Sequence, residues 1–151
     1  MKVEKSIKIS ATPEKIWPFL VEPEKILMWF DSFKKCEYAN EKRSGAGIAY
    51  YIEEKVPGPL RKINFIATKW NENENLILEM TSGKNVNSYE IRWDLKGTQS
   101  GTTFHFVEEV GMPFGVIGKL LGVLGQGTAD KMVEGMLVKL QKLSEAQANS
   151  V

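Results

Sequence analysis

The chain has 151 residues, 42% of them hydrophobic and 26% charged, enough apolar material for one buried core and too much for a disordered chain. Twenty Lys and Arg against 19 Asp and Glu leave a formal net charge of +1, so the bulk electrostatics give no ground for nucleic acid or an anionic membrane as main partner. A single Cys (Cys36) and a single His (His105) exclude an internal disulfide, a Cys/His zinc site and a Cys-x-x-Cys redox pair, so no metal and no cofactor is expected.

In chain order, Val3, Ile7 and Ile9 alternate with Lys2, Glu4, Ser6, Lys8 and Ser10, the period of a half-buried strand. MKVEKSIKI lacks the apolar run of a secretory signal, which predicts a reducing, cytoplasmic setting. At Thr12-Pro13 the pattern turns helical: Thr suits an N-cap, Pro the first helical position, and Ile16, Trp17, Phe19 and Leu20 follow on one side. Glu22-Pro23-Glu24 opens a second short helix with Ile26, Leu27, Trp29 and Phe30 as its apolar side. Six strand-like stretches come next, at about 33–41, 46–56, 61–71, 76–81, 87–96 and 102–110, separated by Gly-, Pro- and Asn-rich turns. After Pro113 the period is helical to about Glu145, with Leu121, Leu124, Met132, Met136, Leu140 and Leu143 inward. Lys119, Gln126, Asp130, Glu134, Gln141 and Glu145 face outward in that reading, and Ala146 to Val151 should fray.

No repeat or linker interrupts this order, which predicts one domain over residues 1–151. A strand, two short helices, six more strands and a long helix bury their apolar faces together only if the sheet curls around the helix. The expected class is therefore α+β: a helix-grip, a seven-stranded curved antiparallel sheet wrapped around a long C-terminal helix, with two short helices between strands 1 and 2. Ala11-Thr12-Pro13-Glu14-Lys15-Ile16-Trp17, Trp29 closing the second helix, Ser100-Gly101-Thr102 and Met112-Pro113-Phe114-Gly115 together resemble the START-like SRPBCC superfamily, within it the polyketide cyclase/dehydrase and lipid transport group. The resemblance covers nearly the whole chain. It implies a cavity between sheet and helix that holds a hydrophobic or amphipathic small molecule, on a scaffold that serves binding, transport and cyclisation alike.

Strand phase and the resemblance together name the candidate lining: Trp29, Tyr50, Ile52, Phe65, Met80, Tyr89, Ile91, Trp93, Phe104 and Phe106, with Ile117, Leu121 and Leu124 from the long helix. The same large side chains could equally fill a solid core. On the strand at 61–71, Ile66 and Trp70 compete with Ile63 and Phe65 for the inner face. Two carboxylates keep step with the apolar residues, Glu54 with Tyr50 and Ile52, and Glu108 with Phe104 and Phe106. Burial without a partner raises a carboxylate pKa, so Glu108 is a candidate polar anchor or general acid/base, unless the strand ends simply reach solvent. His105 falls on the outer phase.

Gly111, Gly115, Gly118, Gly122 and Gly125 recur at spacings of four and three, continued by Ala129. Either close packing demands them, or residues 111–127 form a loosely held lid. The apolar run 114–124 is too short to span a bilayer, though it suits a transient lipid contact or, through Gly118-x-x-x-Gly122, a helix pairing. No Gly-x-Ser-x-Gly elbow and no phosphate-binding Gly loop occurs. The leading expectation is a binder of one apolar or amphipathic molecule, such as a lipid, isoprenoid, polyketide or aromatic metabolite, acting as monomer or homodimer. The alternative is a cyclase, dehydratase or hydrolase using the same cavity and a carboxylate.

Overall fold

The computed structural model describes the backbone of residues 1–112 and 115–149, and the side chains of these stretches except 115–124. The elements are β1 (Lys2–Ile9), α1 (Pro13–Val21), α2 (Pro23–Trp29), β2 (Phe33–Tyr38), β3 (Ala49–Glu54), β4 (Arg61–Asn71), β5 (Asn75–Lys84), β6 (Ser88–Thr98), β7 (Gly101–Gly111) and α3 (Gly115–Asn149). The strands form one antiparallel sheet in the order β1-β7-β6-β5-β4-β3-β2, so the first strand crosses to pair with the last. Across the curved inner face lie α1, α2 and α3. This is the helix-grip expected from the element order.

The element ends differ from the expected ones for local reasons. Gly45 and Gly47 sit at φ +83° and +94°, a left-handed turn that delays β3 to Ala49. β5 and β6 run further than the apolar pattern because ladder pairing carries them past it, Gly83 and Lys84 onto Ile63 and Lys62. On β4 the core takes Ile63 and Phe65 from one rival set and Trp70 from the other, while Ile66 stays half-buried outside it. Ile63, Phe65 and Ala67 are buried in one phase, and a bulge that skips Thr68 reverses the phase so that Trp70 returns to the inner side. There it meets Trp17 of α1 edge to face, centroids 5.4 Å apart. The helix α3 does not fray at Ala146 but runs to Asn149, where Ala148 packs on the core.

Helix α1 is joined to α2 through one residue, Glu22, leaving carbonyls of its last turn without helical partners. Core aromatics take them: Trp29 Nε1 donates to Phe19 O at 2.7 Å, and Tyr50 Oη to Val21 O at 2.6 Å. Thr12 occupies the N-cap but makes no side-chain cap bond.

The polar row of α3 is less exposed to solvent than its sequence suggests. Gln126 donates to Lys2 O, Gln141 to Lys8 O, Glu134 accepts from Lys5 Nζ, and Glu145 accepts from Ser10 N. These side chains stitch the helix to the free edge of β1 and cover an edge that would otherwise pair with another chain. Their inner neighbours Val133, Met136, Leu137 and Leu140 are buried.

Gly101 opens β7 at φ +149°, and a Cβ there would meet the carbonyl of Ile9. We expect Gly101→Ala to destabilise the fold by about 2 kcal/mol or more, through both strain and contact, read as a lower midpoint in chemical denaturation; an unchanged midpoint would refute the tight β1–β7 junction.

Candidate functional site

At one end of the sheet the inner phase stops being apolar. Glu54 closes β3, Arg61 opens β4, Tyr89 lies one residue into β6, and Glu108 sits three residues before the end of β7. Each keeps step with the hydrophobic residues of its strand, so the alternation that buries Ile52, Ile63, Ile91 and Phe106 carries these polar groups inward too. Glu54 and Arg61 are direct partners across the β3–β4 ladder.

Their contacts form one chain. Arg61 Nη1 donates to Glu54 Oε1 at 2.9 Å, an ion pair with side chains only 7% and 2% exposed. Glu54 Oε2 accepts from Ser32 Oγ at 2.9 Å and from Tyr89 Oη at 3.0 Å. Tyr89 Oη also lies 2.8 Å from Glu108 Oε2. Among the described residues, Arg61 Nη2 meets only the thioether of Met112, at 2.9 Å. A phenol has one proton, so Tyr89 can bond both carboxyls only if one of them is itself protonated. The guanidinium assigns the negative charge to Glu54, which leaves the proton on Glu108. Burial, then the neighbouring charge of Glu54, push the Glu108 carboxyl from 4.5 up to about 8, against the opposing pull of Tyr89 and Arg61. Burial and the same two carboxyls raise the Tyr89 phenol well above 10.

Beside this chain lies a pocket of about 250 Å³. Its floor is Glu54, Arg61 and Val110, all buried; Pro57 and Thr128 are exposed at its mouth. Between them stand Val56, Met112 and Glu108 from the sheet side, Gly125, Ala129 and Met132 from α3, and Met1. The lining is mainly apolar, with Glu108 Oε1 lacking any hydrogen-bond partner among the described residues.

Of the residues expected to contact a ligand, Glu108 borders this pocket. Trp29, Tyr50, Ile52, Phe65, Ile91, Trp93, Phe104 and Phe106 are completely buried, and Tyr89 nearly so. They form the packed interior behind the pocket: Trp29 lies 5.3 Å from Trp93 and 6.2 Å from Phe104, and Phe65 lies 5.1 Å from Tyr89. The Tyr50 hydroxyl proton is already donated to Val21 O. Met80 is half-buried against the same cluster. Ile117, Leu121 and Leu124 fall on α3, with side chains outside the described residues. Periodicity did not single out Arg61 or Ser32. Arg61 was legible, since 61, 63 and 65 share a phase; Ser32 lies in a loop with no period to place it.

The remaining candidates separate. Cys36 is buried, which with the charge of Glu37 pushes its thiol up to about 12 and leaves it unreactive. It lies on the edge strand β2, far across the sheet order from His105 on β7. His105 does align with Ser6 Oγ at 2.7 Å and Glu4 Oε2 at 2.8 Å, but on the outer face of β1 and β7, where no described pocket borders them. Of the glycine row, Gly111 belongs to β7, where a Cβ would strike Ser88 Oγ. The side-chain surroundings of 115, 118 and 122 lie outside the described residues. At Gly125 an added Cβ would meet nothing within 4 Å, so packing does not demand glycine there; its absent side chain leaves room for the pocket.

The sequence matches the family described as polyketide cyclase / dehydrase and lipid transport over residues 1–145. The chain belongs to this family. No curated protein matches it. Among solved structures, a protein of Thermus thermophilus superposes with a TM-score of 0.82 at 19% identity, over 99% of this chain and 100% of its own. A START superfamily protein from Mycobacterium smegmatis gives 0.70 at 16% identity, covering 97% and 96%. The Aha1 dimer from Colwellia psychrerythraea gives 0.64 at 16% identity, covering 97% and 98%. These likenesses establish the START-like fold. No helix among the described residues is long and apolar enough to cross a membrane.

The proton on Glu108 makes stability depend on pH. A carboxyl at about 8 in the folded chain and 4.5 in the unfolded one stabilises fully below 4.5, and the contribution is lost as pH rises towards 8, with a slope of up to about 1.4 kcal/mol per unit. Glu108→Gln, a neutral isostere, should flatten that slope. Denaturant melts from about pH 5 to about pH 9 check it; equal slopes in both proteins would place the proton elsewhere.

Proposed function

We propose that the chain binds one small hydrophobic or amphipathic molecule in the pocket between the β3–β4 end of the sheet, β7 and α3. The observation that carries this is a mainly apolar cleft of about 250 Å³ lined by a carboxyl group, Glu108, one oxygen of which has no partner among the described residues. Apolar area gives affinity at roughly 25 cal/mol per Å² before ordering costs, while a single polar group sets orientation. The volume lies just below the usual ~300–1,000 Å³ of ligand pockets, which suits a small molecule or the head of a longer one. Three methionines, Met1, Met112 and Met132, let the walls adapt to a guest. Family membership supports the same reading, and the packed aromatic interior supports this end of the molecule as the place.

One observation favours a second reading, a cyclase, dehydratase or hydrolase: a carboxyl that keeps its proton to about pH 8 is suited to general acid catalysis. Glu108→Gln separates the two. A binder retains most of its affinity for a neutral ligand, whereas an enzyme that relies on Glu108 loses turnover with binding largely intact.

Native mass spectrometry of the purified chain, followed by organic extraction, should reveal a small hydrophobic passenger or an apo mass that shifts on adding apolar probes. Met132→Trp, which fills the cleft from α3, should abolish that shift while leaving the unfolding free energy within about 1 kcal/mol of wild type. Retained binding in the filled variant would move the site away from this pocket.

A further inference from the structure

We propose that the molecule held in this pocket carries a basic amine at its buried end, which docks as an ammonium on Glu108; the inference rests on the pocket reading above and deepens it.

Two carboxyls, Glu54 and Glu108, share one guanidinium, Arg61, and the pair Arg61–Glu54 is closed and buried. The site is therefore one positive charge short, and a proton on Glu108 stands in for it. The direction of the hydrogen bonds then decides what a guest meets. Ser32 and Tyr89 both donate to Glu54 Oε2, so Tyr89 has no proton left for Glu108, and Glu108 must donate its own to Tyr89 Oη. All the protons run towards Glu54. Glu108 lines the pocket, and its Oε1 is left as an acceptor without a donor among the described residues.

An acceptor in an apolar wall selects a donating head group, and a basic one gains most. An ammonium at Oε1 displaces the Glu108 proton to solvent, after which two carboxylates face two cations and the cluster is neutral again. A carboxylate head would bring a third acid to one guanidinium, whose Nη1 is already paired with Glu54. A carbonyl head would bring a second acceptor to Oε1 and leave that oxygen without a donor. Glu108 faces Tyr89 from β6, Glu54 from β3 and Arg61 from β4. The described pocket-lining residues of α3, Gly125, Thr128, Ala129 and Met132, add no charge. Among the described lining residues the one cation besides Arg61 is the α-amino group of Met1, which donates to Val110 O at 2.8 Å.

The test is calorimetric titration of the full chain with hexylamine, hexanol and hexanoate, one tail with three heads, in buffers of different ionisation enthalpy. The amine should bind tightest and release about one proton per molecule near pH 6.5, its affinity rising about tenfold per pH unit from about 6 to 8 and levelling above. Glu108→Gln should cut amine affinity at about pH 8 by tenfold or more and change that of hexanol by less than about threefold. Tightest binding of hexanoate, proton uptake, or equal binding of all three without proton linkage would overturn the amine while leaving the apolar pocket standing. Failure of all three probes to bind would overturn both readings.

Discussion

A side chain on an antiparallel strand leaves on one face or the other, and in this chain seven strands put their large apolar groups on the same face. That face cannot stay wet. Trp93, Phe104, Phe106, Tyr50, Ile52, Ile63 and Phe65 are withdrawn from water, which the sheet achieves by curling over α1, α2 and α3. At roughly 25 cal/mol per Å² of apolar surface, such burial outweighs any single polar contact in the chain. The bulge at Thr68 shows how strict the requirement is: the ladder gives up a residue so that Trp70 can rejoin the inner side.

The same rule that makes the core also makes the site. Alternation does not stop at the last hydrophobic residue, so it delivers Glu54, Arg61, Tyr89 and Glu108 into the interior at the end of their strands. Withdrawing charges from water costs several kcal/mol for each ion unless partners replace the solvent. Here one ion pair, a serine and a tyrosine satisfy Glu54, and the second carboxyl avoids the cost by keeping its proton. A balanced floor and a protonated wall follow from one shortage of positive charge.

Helix α3 has two tasks along its length. Its second half is fastened, by Val133, Met136, Leu137 and Leu140 to the core and by Gln141 and Glu145 to the edge of β1. Further towards its start, Gly125, Thr128, Ala129 and Met132 turn small or flexible side chains to the pocket. Gly125 has open space where a Cβ would stand, so its glycine is not a packing necessity. Filling and opening of the interior are thus divided along one helix by side-chain size.

Period and punctuation in the sequence determined the element order, the class of fold and the phase of most strands, because these depend on neighbours two to four residues apart. They also put Glu54 and Glu108 in step with the inward residues of their strands, while leaving open whether the strand ends reach solvent. What only the tertiary structure decided is which inward residues border space and which are packed solid. The aromatic rows of β3, β6 and β7 and the end of β7 share one phase, yet Phe104 and Phe106 are enclosed and Glu108 is open to a pocket. That difference depends on the path of α3 across the sheet and on strands far apart in the chain meeting at one end. The proton on Glu108 likewise needs Glu54, Arg61 and Tyr89 gathered from three other strands, a condition that no local pattern contains.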